Sequence, residues 1–381
     1  MKKQILSILL AILMIFSMIA LMACDFNLSK YICIHEWSDW NIVGQGDCET
    51  PGLIRRECEK CGATDEEKTL PTGKHIYEDY NCIYCGLTSV ECFEFTYLQE
   101  SDSYSIRAKS TNNLPGVIFL PSFYNNKPVT TIDNYAFEDC IDLKSMVISN
   151  SITSIGDYAF YDCSSLTSVV IPDSVTSIGH GILFGTAYNN DKSNWEDYVL
   201  YVNNHLIGSN HNISGNYAIK EGTISVAKYA FNLCGLLESV YIPESVISIG
   251  EGAFALVLSD GLTNITVNEN NQHYKSIDGS LYSKDGKKLI QYAGDKEDTS
   301  FEIPDNVTYI GKAAFYNYSS LAEIIIPDSV TSIDDYAFDN CRSLTDVYYA
   351  GTEEEWKAIS IGSGNTYLTN ATIHYNYVPE E

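Results

Sequence analysis

IIIPDSVTSIDDYAFDNC occupies residues 324–341, and residues 146–163 (MVISNSITSIGDYAFYDC) and 169–186 (VVIPDSVTSIGHGILFGT) say nearly the same thing. A catalytic site is needed once, whereas a stacked unit is needed many times, so repeated wording specifies a repeated shape. Aligned on its Ala-Phe pair, the phrase recurs at Ala136, Ala159, Ile182 in degenerate form, Ala230, Ala253, Ala314 and Ala337. The basic interval, Ala136 to Ala159, is 23 residues, and the longer intervals contain insertions.

The consensus unit reads LxxVxIPDSVTSIGDYAFxxCxxL. Val169 and Ile171 alternate as a strand with one face inward. Pro172 and Asp173 then end the ladder and turn the chain. Val175 and Ile178 point back to the core, Gly179 is expected to bend the chain with a positive φ, and the Ala-Phe pair fills the corner. One such unit buries too little apolar surface to fold alone, but stacked units share strands and core.

The unit closely resembles the BspA-like leucine-rich repeats of bacterial surface proteins. The matching residues are Leu143, Ile148, Ile152, Ile155, Ala159, Phe160 and Cys163, and again Leu321, Ile326, Pro327, Val330, Ile333, Ala337, Phe338 and Cys341. The resemblance spans about residues 91–377. It implies a curved, right-handed, β-rich solenoid of about eight strands over 117–350, with a role in adhesion or protein binding and no enzyme chemistry.

Residues 187–217 carry an insertion, YVLYVNNHLIGS, that reads as a hairpin turning at Asn203-Asn204. Residues 262–299 carry SIDGSLYSKDGKKLIQY, read as a hairpin with Asp285-Gly286 at its tip. Ahead of the first unit, Phe93, Phe95 and Tyr97 alternate, as do Tyr104, Ile106 and Ala108, which predicts a capping hairpin within 91–116. In the C-terminal cap, 351–381, Thr352 to Glu355 has capping-box spacing and should start a short helix that packs Trp356 and Ile359 over the last repeat.

The chain begins with Lys2 and Lys3 and an apolar run from Ile5 to Met22, which fits a secretory signal over 1–23 and is also long enough for an uncleaved anchor. Leu21 to Cys24, LMAC, resembles the bacterial lipobox, which implies lipidation of Cys24, a tether over 24–32, and an extracytoplasmic, membrane-anchored protein whose contact with the membrane is through the N-terminal lipid. The 23 basic and 50 acidic residues give a formal charge of -27. Such an excess repels nucleic acid and anionic lipid.

Seven of the 12 cysteines lie between Cys33 and Cys92, mostly in a small cysteine-rich module over 33–90. Cys58-Glu-Lys-Cys61-Gly62 and Cys82-Ile-Tyr-Cys85-Gly86 are CxxCG knuckles that aim two thiolates at one ion, and structural zinc needs four such ligands. Cys48 and His75 are candidates to complete one site, and Cys33 and His35 the other. The module resembles a zinc-ribbon-like repeat of gut bacterial surface proteins, although its second unit lacks a counterpart of Cys48. Disulfides are the competing reading, because an oxidising compartment permits them. Cys140, Cys163, Cys234 and Cys341 share one repeat position with Thr186, Val257 and Tyr318, and read as inert, space-filling thiols.

The histidines His180, His205, His211, His273 and His374 accompany no recognisable nucleophile motif, and no catalytic cofactor is implied. Asp157, Asp173, Asp328, Asp334 and Asp335 recur at turns. Asp278, Asp285 and Asp295 lack the spacing of a calcium loop. The informative surface is the row alternating away from the core: Phe119, Val147, Val170, Ala218, Tyr241, Glu302, Ile325 and Tyr348. At strand spacing this row makes a ribbon about 34 Å long. A solvated strand face is ordinarily polar, so a row this apolar marks either a ligand face or residues that suit strands and shield one another. Beside it run Ser145, Ser168, Ser239, Glu323 and Asp346. Three functions follow as alternatives. The first is binding of an extracellular protein, the second a structural spacer or surface coat, and the third glycan recognition by Trp37, Trp40 and Trp195.

Overall fold

The computed structural model describes residues 92–378 apart from 112–113, 256–261 and 295–297, together with the backbone of five short strands between residues 41 and 82. The chain divides into two compact units, Met1–Ser89 and Val90–Glu381. In the first, Asn41–Gly44, Gly52–Glu57 and Thr64–Thr69 form an antiparallel sheet, and Tyr77–Glu78 pairs with Asn81–Cys82.

The second unit is a β-solenoid of about eleven turns, in which each complete turn supplies a longer strand, a shorter strand and a corner. The longer strands, such as Ser145–Val147 and Ser168–Val170, stack parallel and in register, with Met146 opposite Val169 and Val147 opposite Val170. The shorter strands, such as Ser154–Ile155 and Ser177–Ile178, form a second parallel ladder. Alternation explains the burial: Val169 and Ile171 are buried while Val170 between them is 43% exposed.

The long-strand ladder has ten strands among the described residues, not about eight, and it is split into sheets of three, three and four. The two missed in sequence, Asn264–Val267 and Thr372–His374, lie beyond connections longer than the basic repeat and so fall out of its phase. The breaks come at the insertions. The first is the expected hairpin: Val199–Val202 pairs with His205–Ser209 across Asn203-Asn204. The second is a three-stranded meander rather than one hairpin. Tyr274–Ile277, Ser280–Ser283 and Lys288–Gln291 pair in turn, with an unexpected tip at Asp278-Gly279, both with positive φ (46° and 78°).

The corners stack by their own hydrogen bonds. The amides of Tyr135, Phe137 and Asp139 donate to the carbonyls of Asp157, Ala159 and Tyr161 one turn later, at 2.7–2.9 Å. Side chains run in parallel with this ladder, since Asn134 Oδ1 accepts from the Asp157 amide and Asp157 Oδ1 from the His180 amide. Inside, Phe137 stacks on Phe160 and Phe315 on Phe338, with ring centres 5.6 and 4.8 Å apart. Dispersion and area burial accumulate rung by rung in this way.

Gly179 does not play the part expected of it. The left-handed residues of a corner are the tyrosine and the aspartate or asparagine that follow: Tyr135, Asp139, Tyr158, Asp162, Tyr336 and Asn340 have φ between 54° and 59°. The glycine is required by proximity instead, because a Cβ on Gly179 would lie 2.4 Å from the Asp157 amide nitrogen.

Both ends are closed by short elements. Phe93–Leu98 pairs antiparallel with Ser103–Ala108 and buries Phe93. Ser103–Ala108 also pairs parallel with Lys127–Ile132, so it serves as cap and first rung together. At the other end Thr352 and Glu355 make the reciprocal bonds of a capping box and start the helix Glu353–Ala358. Trp356 packs edge-on against Tyr349 at 5.2 Å, and Ile359 is buried. Two further strands, Ser360–Ile361 and Thr372–His374, then extend both ladders.

Candidate binding surfaces

The pairing register places the predicted outward residues side by side within each sheet. Phe119 lies opposite Val147 and Val147 opposite Val170, Ala218 lies opposite Tyr241, and Glu302 opposite Ile325 opposite Tyr348. The register adds two members, Thr266 beside Tyr241 and His374 beside Tyr348. The result is three short patches instead of one unbroken ribbon. Val170, Ala218, Thr266 and Glu302 are exposed, while Phe119, Val147, Tyr241, Ile325 and Tyr348 are half-buried. Part of the shielding comes from within the row, where His374 stacks on Tyr348 at 4.6 Å, and part from beside it, where Tyr377 lies 4.7 Å from Tyr348 and Asn268 Nδ2 donates to the Tyr241 hydroxyl. The neighbouring row is polar, and Asp346 accepts a 2.7 Å bond from His374 that holds its carboxyl below the usual carboxylate range.

The repeat cysteines do more than fill space. All four are buried and free, and two donate to the preceding corner, Cys163 Sγ to the Phe137 carbonyl at 2.9 Å and Cys341 Sγ to the Phe315 carbonyl at 3.1 Å. Other residues at this position donate as well: Thr186 Oγ1 reaches the Leu183 carbonyl, and the Tyr318 hydroxyl reaches the carbonyls of Leu262 and Tyr292. Thr186 thus bonds within its own corner, where Cys163 and Cys341 bond to the preceding one; Val257 lies outside the described residues. Burial pushes the Cys341 thiol up to about 12 and raises that of Cys234, which leaves little reactive thiolate.

His205, in the first inserted hairpin, is completely buried, with Nδ1 2.9 Å from Ser225 Oγ and Nε2 3.1 Å from the Pro172 carbonyl. Asp285 accepts bonds from Ser283 and the Lys287 amide, as a turn residue does, and Asp278 lies in the other turn of the meander. Asp295 lies outside the described residues. Trp195 is half-buried and its indole nitrogen donates to the Asn189 carbonyl at 2.8 Å.

The lipidation residue Cys24, the ligand set Cys33, His35, Cys48, Cys58, Cys61, His75 and Cys85, and Trp37 and Trp40 lie outside the described residues, and of Cys82 only the backbone strand is described. Among the described residues no group of His, Cys, Asp or Glu is arranged to hold a metal, and no helix is long and apolar enough to cross a membrane.

A family model for the BspA type leucine rich repeat region matches six copies over residues 119–209, 209–285 and 291–376, well over half of the chain. The chain belongs to that family. No curated protein matches it. Among solved structures, this BspA-type chain is similar to a leucine-rich repeat protein from Eubacterium ventriosum, with 20% identity over 75% of this chain and 77% of that one and a TM-score of 0.36. It is also similar to a leucine rich cell surface protein from Faecalibacterium prausnitzii, with 23% identity over 71% and 96% and a TM-score of 0.26. A third is the leucine rich repeat protein of T. pallidum, with 17% identity over 74% and 89% and a TM-score of 0.29.

Proposed function

We propose that this BspA-type chain is a non-catalytic, surface-displayed adhesion module that binds an extracellular protein through its outward strand rows. The observation that carries the reading is the pairing register, which aligns Phe119 with Val147 and Val170 at one end and Ile325 with Tyr348 at the other, each beside a polar row. Aligned apolar side chains edged by polar ones are the usual make-up of a contact patch. The N-terminal part supplies the attachment: Cys24 carries lipid and holds the protein on the outside of a bacterial membrane. In the cysteine-rich module Cys58 and Cys61 fall in the connection between two strands paired as far as Glu57 and Thr64, the setting a CxxC knuckle needs to close on structural zinc.

The test is binding of the purified full chain in detergent to extracellular-matrix proteins, mucins and bacterial-surface components, beside Val170→Ser, Tyr241→Ser and Tyr348→Ser variants. A partner lost in a variant whose melting temperature is unchanged supports the reading. Silence across the panel from folded protein moves it to a structural spacer. For zinc, a chelator should release the metal and loosen residues 33–86 while the solenoid's melting stays put; sensitivity to reductant alone would mean disulfides.

A further inference from the structure

The one degenerate unit borders the first insertion. There glycine replaces the corner tyrosine at position 181, leucine replaces the core phenylalanine at 183, and threonine replaces the cysteine at 186. The corner ladder that runs from Tyr158, Phe160 and Asp162 onto His180, Ile182 and Phe184 stops at this unit and resumes with Tyr229 and Phe231 donating to Glu251 and Ala253. The inserted hairpin comes between the two stretches. It bridges the interruption in part, with Ser209 Oγ donating to the Ala230 carbonyl at 2.8 Å, and the flanking units also meet directly, the Lys228 amide donating to the Ile178 carbonyl. The remaining space is a cavity of about 340 Å³.

Three properties of its lining are chemical. Aromatic surfaces stand around it: Trp195, fixed by its bond to Asn189, then Tyr229, and Phe184, which is 43% exposed. Four carboxamides, Asn189, Asn190, Asn210 and Asn232, offer both donors and acceptors. No carboxylate lines it, and Lys192 is the single Lys or Arg in a lining that also holds His180 and His211, in a chain with 50 acidic residues. Asn232 carries the decisive detail: its Oδ1 is shut off from solvent and has no hydrogen-bond partner among the described residues, the one such side-chain atom among them. An unmet buried acceptor costs stability, and in native structures such a group calls for a role. The corresponding position of the next turn is Ala255, which shows that the corner itself needs no amide there.

We infer that the cavity beside the first insertion, lined by Trp195, Phe184, Tyr229 and Asn232, binds an uncharged pyranose, the terminal hexose or N-acetylhexosamine of a glycan. A pyranose presents a C–H face to an aromatic ring and a rim of hydroxyls to carboxamides, and Asn232, only partly buried as a residue, meets a ligand hydroxyl by turning its unpaired Oδ1 into the cavity. The volume falls in the range of small-molecule sites and suits one or two sugar rings. This site is separate from the strand rows and does not depend on them.

The experiment titrates the purified full chain in detergent with glucose, galactose, mannose, N-acetylglucosamine, N-acetylgalactosamine and, as an anionic control, N-acetylneuraminic acid, read by calorimetry and saturation-transfer NMR. An uncharged sugar should bind saturably. Trp195→Ala and Asn232→Leu should each weaken it roughly tenfold or more, the equivalent of one good hydrogen bond or stacking contact. Asn232→Leu should at the same time hold or raise the melting temperature, because it removes the unmet acceptor; this keeps the test open even if Trp195→Ala fails to fold. Tyr348→Ser should leave sugar binding unchanged. No saturable binding of an uncharged sugar, binding of the anionic sugar alone, or binding indifferent to Asn232→Leu would each overturn the assignment.

Discussion

At the scale of single residues, two positions of the corner pull in opposite directions. Gly156 has no Cβ because one would sit 2.4 Å from the Asn134 amide nitrogen, so Gly156→Ala must push two turns apart. Ala313 sits at φ 57°, in the left-handed region that costs a residue with a Cβ about 1 kcal/mol. Ala313→Gly should therefore stabilise the protein slightly, by up to about 1 kcal/mol, while Gly156→Ala should destabilise it by more than that. Urea melts of the two variants check both signs, and a stable Gly156→Ala protein would refute the proximity argument. Sequence reading located the equivalent glycine one turn on, Gly179, but assigned it the wrong duty, because strain within a residue and crowding between turns both select glycine. The left-handed tyrosines were invisible for the converse reason: nothing in the local wording says that a bulky residue is being held at positive φ.

His205 gives the residue scale a pH dependence. Its buried ring makes two hydrogen bonds, and desolvation holds its pKa below the ordinary value, against smaller opposing effects of the Pro172 carbonyl and Asp173. The unfolded chain takes up the proton near pH 6.5 and the folded one only lower, so between those values the unfolded state binds more protons. Stability is then full above about pH 6.5 and declines as the pH falls toward the depressed folded value. His180, depressed mainly by burial, acts in the same direction. Unfolding midpoints at about pH 7.5 and pH 5.5 should differ less in His205→Gln than in the native chain, and an unaltered difference would count against this assignment.

Among the elements, those announced by pattern were the most legible. Alternation of apolar residues located the strands, Asn203-Asn204 located a hairpin, and the Thr352 to Glu355 spacing located the C-terminal helix. What escaped were elements whose phase depends on connection length: the strand containing Thr266, the strand containing His374, and the turn at Asp278-Gly279. The same loss of phase hid two members of the outward row and the breaks that divide it. The cavity was legible only as a degenerate repeat next to an asparagine-rich insertion, since nothing in a linear reading shows that the Asn232 acceptor is left unmet. The helix Glu353–Ala358 permits a direct check. Thr352→Ala removes the acceptor for the Glu355 amide and should cost about 1 kcal/mol. Hydrogen exchange in Glu353–Ala358 should quicken, while exchange at the distant Ser145–Val147 should not change.

For the solenoid as a whole, the described core falls into three clusters that follow the breaks in the long-strand ladder. One is centred on the stack Phe137 and Phe160, one on Phe231 and Phe254, and one on Phe315 and Phe338. In a stacked array each turn is stabilised chiefly by its neighbours, so damage should spread only as far as the coupling between clusters carries it. Phe338→Ala, which removes a fully buried ring, should cost about 3–5 kcal/mol locally. Hydrogen exchange should register that loss across residues 300–374 and leave 103–178 protected as before. Uniform loss of protection from one end to the other would show that the insertions do not uncouple the clusters. The division has a bearing on heredity as well as on energetics. A gene built this way is a set of cassettes, each with its own interior and its own outward row. Selection can recast the outer lettering of one cassette, or exchange it by recombination at an insertion, without renegotiating the interior of the others.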